Sequence, residues 1–217
     1  SEGRNALAAV SGGASILRGN GYKTYGYFFI GVIDRLDFSS ETVSSPGNNL
    51  SQSREYLAAI SNNFYGYFGG GTISTPPYDS STVDRIDFSN ETTSAPGNNL
   101  TKEREDLAAV SSSSYGYFGG GAGDSGRVAT IDRIDFSNET TSVPGNNLSD
   151  LTSGLAATPS DSYGYFGGGS SPSVGKLSTV DRIDFSSETI STPGNGLPQA
   201  RNGLTAATSN FYGYFGG

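Results

Sequence analysis

The chain has 217 residues and a formal net charge of −8, with only 13 lysine and arginine residues scattered along it. Because a nucleic-acid surface needs clustered basic side chains, this balance argues against nucleic acid as a partner. Cysteine and histidine are both absent, which excludes disulfides, thiol nucleophiles, imidazole bases and the usual zinc ligands. We therefore expect neither a metal nor a cofactor, and we find no apolar stretch long enough to cross a membrane.

The sequence repeats itself with a period near fifty residues. The motif Asp-Arg-x-Asp-Phe begins at Asp34, Asp84, Asp132 and Asp181, at intervals of 50, 48 and 49 residues. Such a period is the signature of a repeat architecture. We predict one repeat domain over residues 1–217, with units at 4–49, 54–98, 104–147 and 151–195 and a half unit at 201–217. Since only 34% of the chain is apolar, the core is expected to be thin and repeated.

Each unit opens with a predicted strand A, in which an arginine precedes a short apolar run rich in alanine. The arginines are Arg4, Arg54, Arg104 and Arg201, and Thr152 occupies the same position in the fourth unit. Small alanine side chains allow a backbone to lie close to its neighbours, as crowding near a central axis requires.

Predicted strand B carries Tyr-Gly-Tyr-Phe and begins at Tyr65, Tyr115, Tyr163 and Tyr212, in each case eight residues after a leucine. Alternation along a strand places the two tyrosines on one face and the glycine and phenylalanine on the other. The glycine would leave room for an adjacent sheet, and the phenylalanine would be buried. The glycines that follow are expected to supply positive φ angles or a close backbone approach.

The first unit departs from this spacing, because its Tyr25 lies eighteen residues after Leu7. The interval from Leu7 to Asp34 is nevertheless 27 residues, as in the second unit. If this constant interval sets the positions of the strands, strand B of this unit is residues 15–17. Residues 22–30 then form an exposed aromatic B–C loop. The alternative takes the motif itself as strand B and lengthens the A–B loop by ten residues. We favour the register, which needs no compensating changes.

Predicted strand C contains the charged motif, followed by Ser-x-Glu-Thr in a tight turn and then by a short strand D. Because the charges recur in every full unit, we expect structural Arg-to-Asp ion pairs within a unit or across to the next. A catalytic carboxylate pair is the alternative, but a fourfold duplicated active site is not expected. The residues concerned are Asp34, Arg35, Asp37, Asp84, Arg85, Asp87, Asp132, Arg133, Asp135, Asp181, Arg182 and Asp184.

The B–C loops differ most between units, over residues 72–80, 122–128 and 170–177. Variable loops on a rigid scaffold usually carry recognition, although these segments are equally compatible with unconstrained connectors. As candidate ligand-binding residues we select Tyr22, Tyr25, Tyr27, Tyr78, Asp79, Asp124, Arg127 and Lys176.

The pattern resembles the kelch repeat, a four-stranded β-propeller blade of about fifty residues. The resemblance rests on the arginine before strand A, the aromatic strand B ending in Gly-Gly, and a strand C that closes near Asp87 and Thr92. The tryptophan usual in that blade is missing, since this chain has none. The resemblance implies an all-β, kelch-like β-propeller. A linear β-solenoid is the alternative architecture, and disorder is the least favoured.

The longer stretch Tyr-Gly-Tyr-Phe-Gly-Gly-Gly, followed by Val-Asp-Arg-Ile-Asp-Phe-Ser-Asn-Glu-Thr, resembles repeats in large tail-fibre-like structural proteins of marine bacteriophages. This resemblance covers nearly the whole chain and implies a virion appendage or another extracellular location. The expected function is a non-enzymatic module whose variable loops contact a host-surface glycan or protein. A filament or spacer subunit that forms homo-oligomers or contacts other virion subunits is the alternative, and a glycoside hydrolase is the least favoured.

Overall fold

The computed structural model describes residues 8–12, 25–30, 32–209 and 211–217. Across these ranges the chain is all-β, and every strand pairing is antiparallel. This part of the chain contains no helix that is long and apolar enough to cross a membrane. The expectation of an all-β fold is confirmed.

Within the described ranges, four sheets of four strands and a final pair of strands, which we number I to V in chain order, contain all the strands except two small hairpins. Within each four-stranded sheet the strands follow one another as a meander, A to D. Each sheet lies inside one of the predicted units. Sheet I comprises β1 (Ala8–Gly12), β2 (Tyr25–Ile30), β3 (Val32–Asp37) and β4 (Thr42–Ser44). Sheet II comprises β5 (Ala58–Ser61), β6 (Tyr65–Gly69), β7 (Val83–Asp87) and β8 (Thr93–Ser94).

The remaining sheets follow the same order, with two small hairpins inserted between strands B and C. In sheet III, strands β9 (Ala108–Ser111) and β10 (Tyr115–Gly119) precede the hairpin β11 (Ala122–Gly123) and β12 (Gly126–Arg127), which is followed by β13 (Ile131–Asp135) and β14 (Thr141–Ser142). In sheet IV, strands β15 (Ala156–Pro159) and β16 (Tyr163–Gly167) precede the hairpin β17 (Ser170–Ser171) and β18 (Gly175–Lys176), which is followed by β19 (Val180–Asp184) and β20 (Ile190–Ser191). Sheet V consists of β21 (Thr205–Thr208) and β22 (Gly213–Gly216).

The strand pairing in the first unit contradicts the register that we favoured from the sequence. Strand β2 pairs with both β1 and β3, and Phe28 lies opposite Asp34 just as Phe68 lies opposite Asp84 in sheet II. The prediction that residues 15–17 form strand B is therefore wrong, and those residues lie outside the described part. The physical reason is that ten extra residues in a loop cost little, since doubling a loop costs only about 0.6 kcal/mol.

Side chains of one sheet occupy the space that the strand B glycines leave free in the next sheet. A Cβ atom added to Gly116 of β10 would lie 1.8 Å from the side chain of Ile60 in β5. Gly164 meets Val110 and Gly213 meets Thr158 in the same way. The prediction that the strand B glycine leaves room for an adjacent sheet is confirmed.

Among the residues that the structure describes, three small clusters of buried residues are each shared by consecutive sheets. In the first cluster, Ile33 of the first unit and Leu50, which lies between the first two units, pack with Leu57, Phe68 and Ile86 of the second unit, and all five are buried. The second cluster joins sheets II and III and the third joins sheets III and IV. The core is therefore thin and repeated, as the low apolar content predicts.

Consecutive sheets approach each other most closely at their first strands. Strands β1, β5, β9, β15 and β21 each lie beside the next in that order. Backbone hydrogen bonds continue along this edge, from Asp106 N to Tyr56 O, from Gly154 N to Asp106 O and from Gly203 N to Gly154 O, at 2.8 to 2.9 Å. Within the described ranges no contact of comparable extent joins β1 to β21, so the structure shows a series of sheets side by side and no closed ring.

Candidate functional site: ion pairs and an end groove

A buried ion pair lies within the second and third units. Arg54 Nη2 is 2.5 Å from Asp84 Oδ2, and both side chains are fully buried. Arg104 Nη1 is 2.7 Å from Asp132 Oδ2, close enough for an ion pair although it is not aligned as a hydrogen bond. Burial lowers the pKa of both arginines, and the neighbouring aspartate partly offsets this effect. Such a pair fixes how the start of strand A docks on strand C.

The fourth unit lacks this pair, because Thr152 stands where the arginine would be. Asp181 is nevertheless buried, and it accepts hydrogen bonds from Ser149 N and Oγ at 2.9 Å and from Thr192 Oγ1 at 3.1 Å. The hydroxyl of Thr152 is buried without a hydrogen-bond partner. The chain therefore contains an internal comparison between units with and without the guanidinium.

A second set of charges joins each sheet to the next. Arg85 Nη1 lies 2.9 Å from Glu139 Oε1, and the hydroxyl of Tyr67 donates to the same oxygen at 3.0 Å. The ring of Tyr67 also stacks on Phe136, with 5.4 Å between centroids. We call these four residues, and their equivalents in other units, the clamp. Burial and the nearby Glu139 carboxylate raise the pKa of the Tyr67 hydroxyl, so it remains protonated and donates.

The clamp recurs between sheets III and IV, where Arg133 and Tyr117 bind Glu188 and Tyr117 stacks on Phe185. Between sheets I and II the ion pair joins Arg35 to Glu91 at 2.8 Å. Each of these glutamates follows strand C and has a positive φ near 58°. A positive φ is uncommon for a residue other than glycine. All three of these glutamates form an ion pair with an arginine of the preceding unit.

Arg35, Arg85 and Arg133 thus pair with glutamates of the next unit, and not with the aspartates that the sequence led us to expect. In the motif of sheet II, Asp84 binds Arg54, whereas Asp87 accepts hydrogen bonds from Ser89 N and Oγ at 2.8 and 2.6 Å. These bonds lower the pKa of Asp87 and hold the turn. Asp37, Asp135 and Asp184 bind the equivalent serines. Arg182 donates to Ser191 Oγ at 3.2 Å and lies 4.6 Å from the ring centre of Tyr163.

The structure places the predicted ligand-binding residues in three different settings. Tyr22 lies outside the described residues. Tyr25 and Tyr27 belong to strand β2, so their expected position in an exposed loop is wrong. Tyr78, Asp124 and Lys176 are exposed on the B–C loops.

The last two predicted residues make contacts within the B–C loop region. Arg127 Nε donates to Ser153 Oγ of the next unit at 2.9 Å. Burial, followed by the negative charges of Glu105, Asp124 and Glu103, raises the pKa of Asp79. The second and third loops are therefore brought together.

A concave surface lies at the opposite ends of the sheets. In a meander the A–B and C–D turns share one end, and the B–C loops lie at the other. A cavity of about 820 Å³ opens at the A–B turns of sheets II, III and IV. We call it the end groove, and its lining residues are 62–64, 111–115, 135–137 and 159–161.

Hydrogen bonds within each A–B turn hold the lining in place. Asn62 Oδ1 accepts from the backbone N–H groups of Phe64 and Tyr65, both at 2.8 Å. Ser112 Oγ accepts from Tyr115 N at 3.0 Å, and Ser160 accepts from Tyr163 in the same way. Asparagine and serine are the residues that favour such turns. The turns therefore present a fixed row of polar groups.

Aromatic rings are interleaved with these polar groups. Phe64 is 69% exposed, so its ring is largely free to contact a ligand. Tyr115 and Phe136 line the same groove, and both are half-buried. Arg133 lies 4.7 Å from the ring centre of Tyr115 and fixes its position. The groove thus combines hydroxyl, amide and aromatic surface. Sequence reasoning missed this groove, although the Asn- and Ser-rich turns before each Tyr-Gly-Tyr-Phe motif were a visible signal.

The described residues contain no group of three or more His, Cys, Asp and Glu side chains that could hold a metal ion. No protein-family model matches the chain, and no curated protein matches it. The site must therefore be interpreted from its own chemistry.

Proposed function

We propose that the chain is a non-enzymatic binding module of a virion appendage or another extracellular surface, and that its end groove binds an extended glycan. We further propose that its sheets belong to a kelch-like propeller. The observation that supports the binding role is the groove itself. Its volume of about 820 Å³ falls in the range of about 300–1,000 Å³ typical of ligand sites.

The lining suits a sugar chain better than an apolar ligand. Hydroxyls of serine and the amides of Asn62 and Asn63 can exchange hydrogen bonds with sugar hydroxyls. The exposed ring of Phe64 offers an apolar face against which the carbon skeleton of a sugar can pack. Three consecutive units contribute to the groove, so it extends beyond the footprint of one sugar.

Charge favours a neutral glycan over an acidic one. Asp135 lines the groove, and the hydrogen bonds from Ser137 lower the pKa of its carboxyl, so it is ionised at neutral pH. The chain as a whole carries a net charge of −8. An anionic ligand would approach against both charges.

The same carboxylate supports a binding role over glycoside hydrolysis. A general acid in such an enzyme needs a raised pKa, and Asp135 has a lowered one. The pKa is raised at Asp79 and Asp106, and neither of these residues lines the groove.

Two exposed aromatic residues at opposite ends of the sheets provide a direct test. Purified chain is first applied to an array of neutral and acidic glycans, and the best ligand is then titrated by calorimetry. Phe64→Ala should weaken binding at least about fivefold, because a central aromatic contact typically contributes more than about 1 kcal/mol. Tyr78→Ala, on a B–C loop, is the matched control and should bind as the wild type does.

If Tyr78→Ala weakened binding and Phe64→Ala did not, the ligand would bind at the variable loops and not in the end groove. Absence of binding to any glycan on the array would refute the glycan proposal as a whole. Both substituted side chains are more than half exposed, so neither change should disturb folding.

One observation favours the alternative role as a filament or spacer subunit. In the last unit, Phe211 and Tyr212 of the A–B turn and Tyr214 of β22 are 84%, 68% and 56% exposed and form an exposed aromatic patch. Exposed patches of this kind often mark interaction surfaces. Light scattering distinguishes the two roles, since a filament subunit should form ordered polymers and a monodisperse monomer should not.

A further inference from the structure

The charged residues that line the end groove are all acidic. Asp135 of the third unit and Asp161 of the fourth lie in its lining, and no lysine or arginine is among the described residues that line it. A cleft lined by charge of one sign concentrates ligands of the opposite sign. The groove therefore favours a ligand that carries positive charge in addition to the hydroxyls of a glycan.

The carboxylate of Asp135 is held in a fixed position. Its Oδ1 accepts hydrogen bonds from Ser137 N at 2.8 Å and from Ser137 Oγ at 2.6 Å. Within the described part of the chain, Oδ2 accepts no hydrogen bond. The bonds from Ser137 also lower the pKa of Asp135, so the group is charged at neutral and mildly acidic pH. An ionised acceptor that is already in place suits an ammonium donor.

Aromatic residues lie on both sides of this carboxylate. Tyr115 is opposite Asp135 in the pairing of β10 with β13, Phe136 follows it in the chain, and both line the groove. Arg133 already covers the ring of Tyr115, with 4.7 Å between Cζ and the ring centre. The charge of this guanidinium is paired with Glu188 at 2.9 Å, which offsets its repulsion of a cationic ligand.

Phe64 is the aromatic ring that remains for a ligand cation. It is 69% exposed, and none of the cation–π contacts among the described residues involves it. An ammonium group is attracted to the face of an aromatic ring. The groove thus offers an amine both an ionised carboxylate and an aromatic face.

We propose that the end groove selects a glycan with free, protonated amino groups over the same glycan with those groups acetylated. This inference rests on the proposed function, because it specifies which glycan the groove prefers. The sugar skeleton packs on Phe64, its hydroxyls contact the serine-rich turns, and one ammonium group donates to Asp135 Oδ2. Acetylation removes the charge of the amine and leaves the neutral contacts in place. Asp135 is therefore the residue that determines this specificity.

Two oligosaccharides that differ only in acetylation provide the probe. A tetramer of β-linked glucosamine and the corresponding tetramer of N-acetylglucosamine are each titrated into the intact chain by calorimetry. The titrations are made at about pH 5.5, where the sugar amine is protonated and Asp135 is ionised. We expect the free amine to bind at least about fivefold more tightly, as one charge-assisted hydrogen bond provides. A linear polyamine of the same charge, which has no sugar ring, should bind more weakly than the glucosamine tetramer.

Asp135→Asn distinguishes this carboxylate from the general negative charge of the chain. Asparagine keeps an oxygen that can accept from Ser137, so the turn should be retained, which circular dichroism checks. The preference for the free amine should fall below about twofold, with binding of the acetylated tetramer unchanged. Asp37→Asn is the matched control, because Asp37 makes the same two bonds to Ser39 but belongs to sheet I, which does not line the groove. This variant should keep the wild-type preference.

The outcomes separate this inference from the proposed function. Equal affinity of the wild type for the two tetramers, or a preference that survives Asp135→Asn, overturns the inference, whereas binding of the acetylated tetramer still supports glycan recognition. A polyamine that binds as tightly as the glucosamine tetramer also overturns it. If neither tetramer binds, the inference fails, and the glycan array decides the proposed function independently.

Discussion

Replacing Asp132 by asparagine should destabilise the chain strongly, because it removes the counter-ion of a buried guanidinium. Arg104 and Asp132 are both fully buried, and 2.7 Å separates Nη1 from Oδ2. Removing one partner of such a pair costs about 3–5 kcal/mol. For a chain of this length each kcal/mol shifts the melting temperature by about 2–4 °C, so we expect a decrease of roughly 6–20 °C.

The fourth unit provides the matched control. Asp181 is also a buried strand C aspartate, but its hydrogen bonds come from Ser149 and Thr192, and within the described part of the chain it forms no ion pair with an arginine. Asparagine at this position keeps one oxygen acceptor, so Asp181→Asn should cost only about 1–2 kcal/mol. Thr152→Arg should restore the pair and remove a buried hydroxyl without a partner. In that background Asp181→Asn should become as costly as Asp132→Asn.

Urea unfolding at pH 7, followed by circular dichroism, measures all four variants. Equal costs at positions 132 and 181 in the otherwise unchanged chain would refute the reasoning, because the guanidinium would then contribute nothing specific. Hydrogen exchange in sheets III and IV gives a local readout if the repeats do not unfold together.

Three further changes test the packing between sheets and the local electrostatics. Gly116→Ala should cost about 1–3 kcal/mol in urea unfolding by overpacking, and Ile60→Ala in the same chain should recover part of that loss. Glu139→Gln should cost about 1–2 kcal/mol and speed hydrogen exchange where sheets II and III meet, whereas Glu41→Gln, on the exposed equivalent turn, should do neither. Burial and Glu105 raise the pKa of Asp106, so this group stabilises the fold at low pH and its contribution is lost as pH rises above about 4. Asp106→Asn should therefore be more stable than the wild type at pH 7, with the difference vanishing at pH 3; a constant difference across this range would contradict the assignment.

Most of the sheet architecture could be predicted, since each unit repeats the same local signals. The alternation in Tyr-Gly-Tyr-Phe predicted a buried Phe68 and a Gly66 that faces an adjacent sheet, and both residues are buried, but it did not indicate that Tyr67 on the other face is buried as well. Gly70 and Gly71 have φ angles of 73° and 98°, as expected where strand B ends. Local patterning was sufficient because these features depend on one strand at a time.

The first unit shows where spacing misleads. We weighed a constant interval from Leu7 to Asp34 above the motif at Tyr25, and the structure supports the motif. Strand pairing depends on side chains that fit against neighbours, whereas loop length contributes little free energy.

The ion pairs could be predicted only in part. Arg85 and Asp87 are neighbours on one face of a strand, which made a local pair attractive, but the arginine reaches Glu139 of the next unit. The recurrence of a glutamate after each strand C, and of Arg54 and Arg104 before strand A, carried the necessary information. The Asn- and Ser-rich turns were visible in the sequence, but the end groove was not predicted, because it exists only where turns from three units are brought side by side.

The most direct test of our central claim is to map a bound neutral glycan by chemical-shift perturbation in the labelled chain. We predict that the shifted backbone signals will lie at residues 62–64, 112–115 and 160–161, with the B–C loops at 72–80 and 122–128 unchanged. Perturbations confined to those loops, or spread over the surface without a focus, would contradict the account.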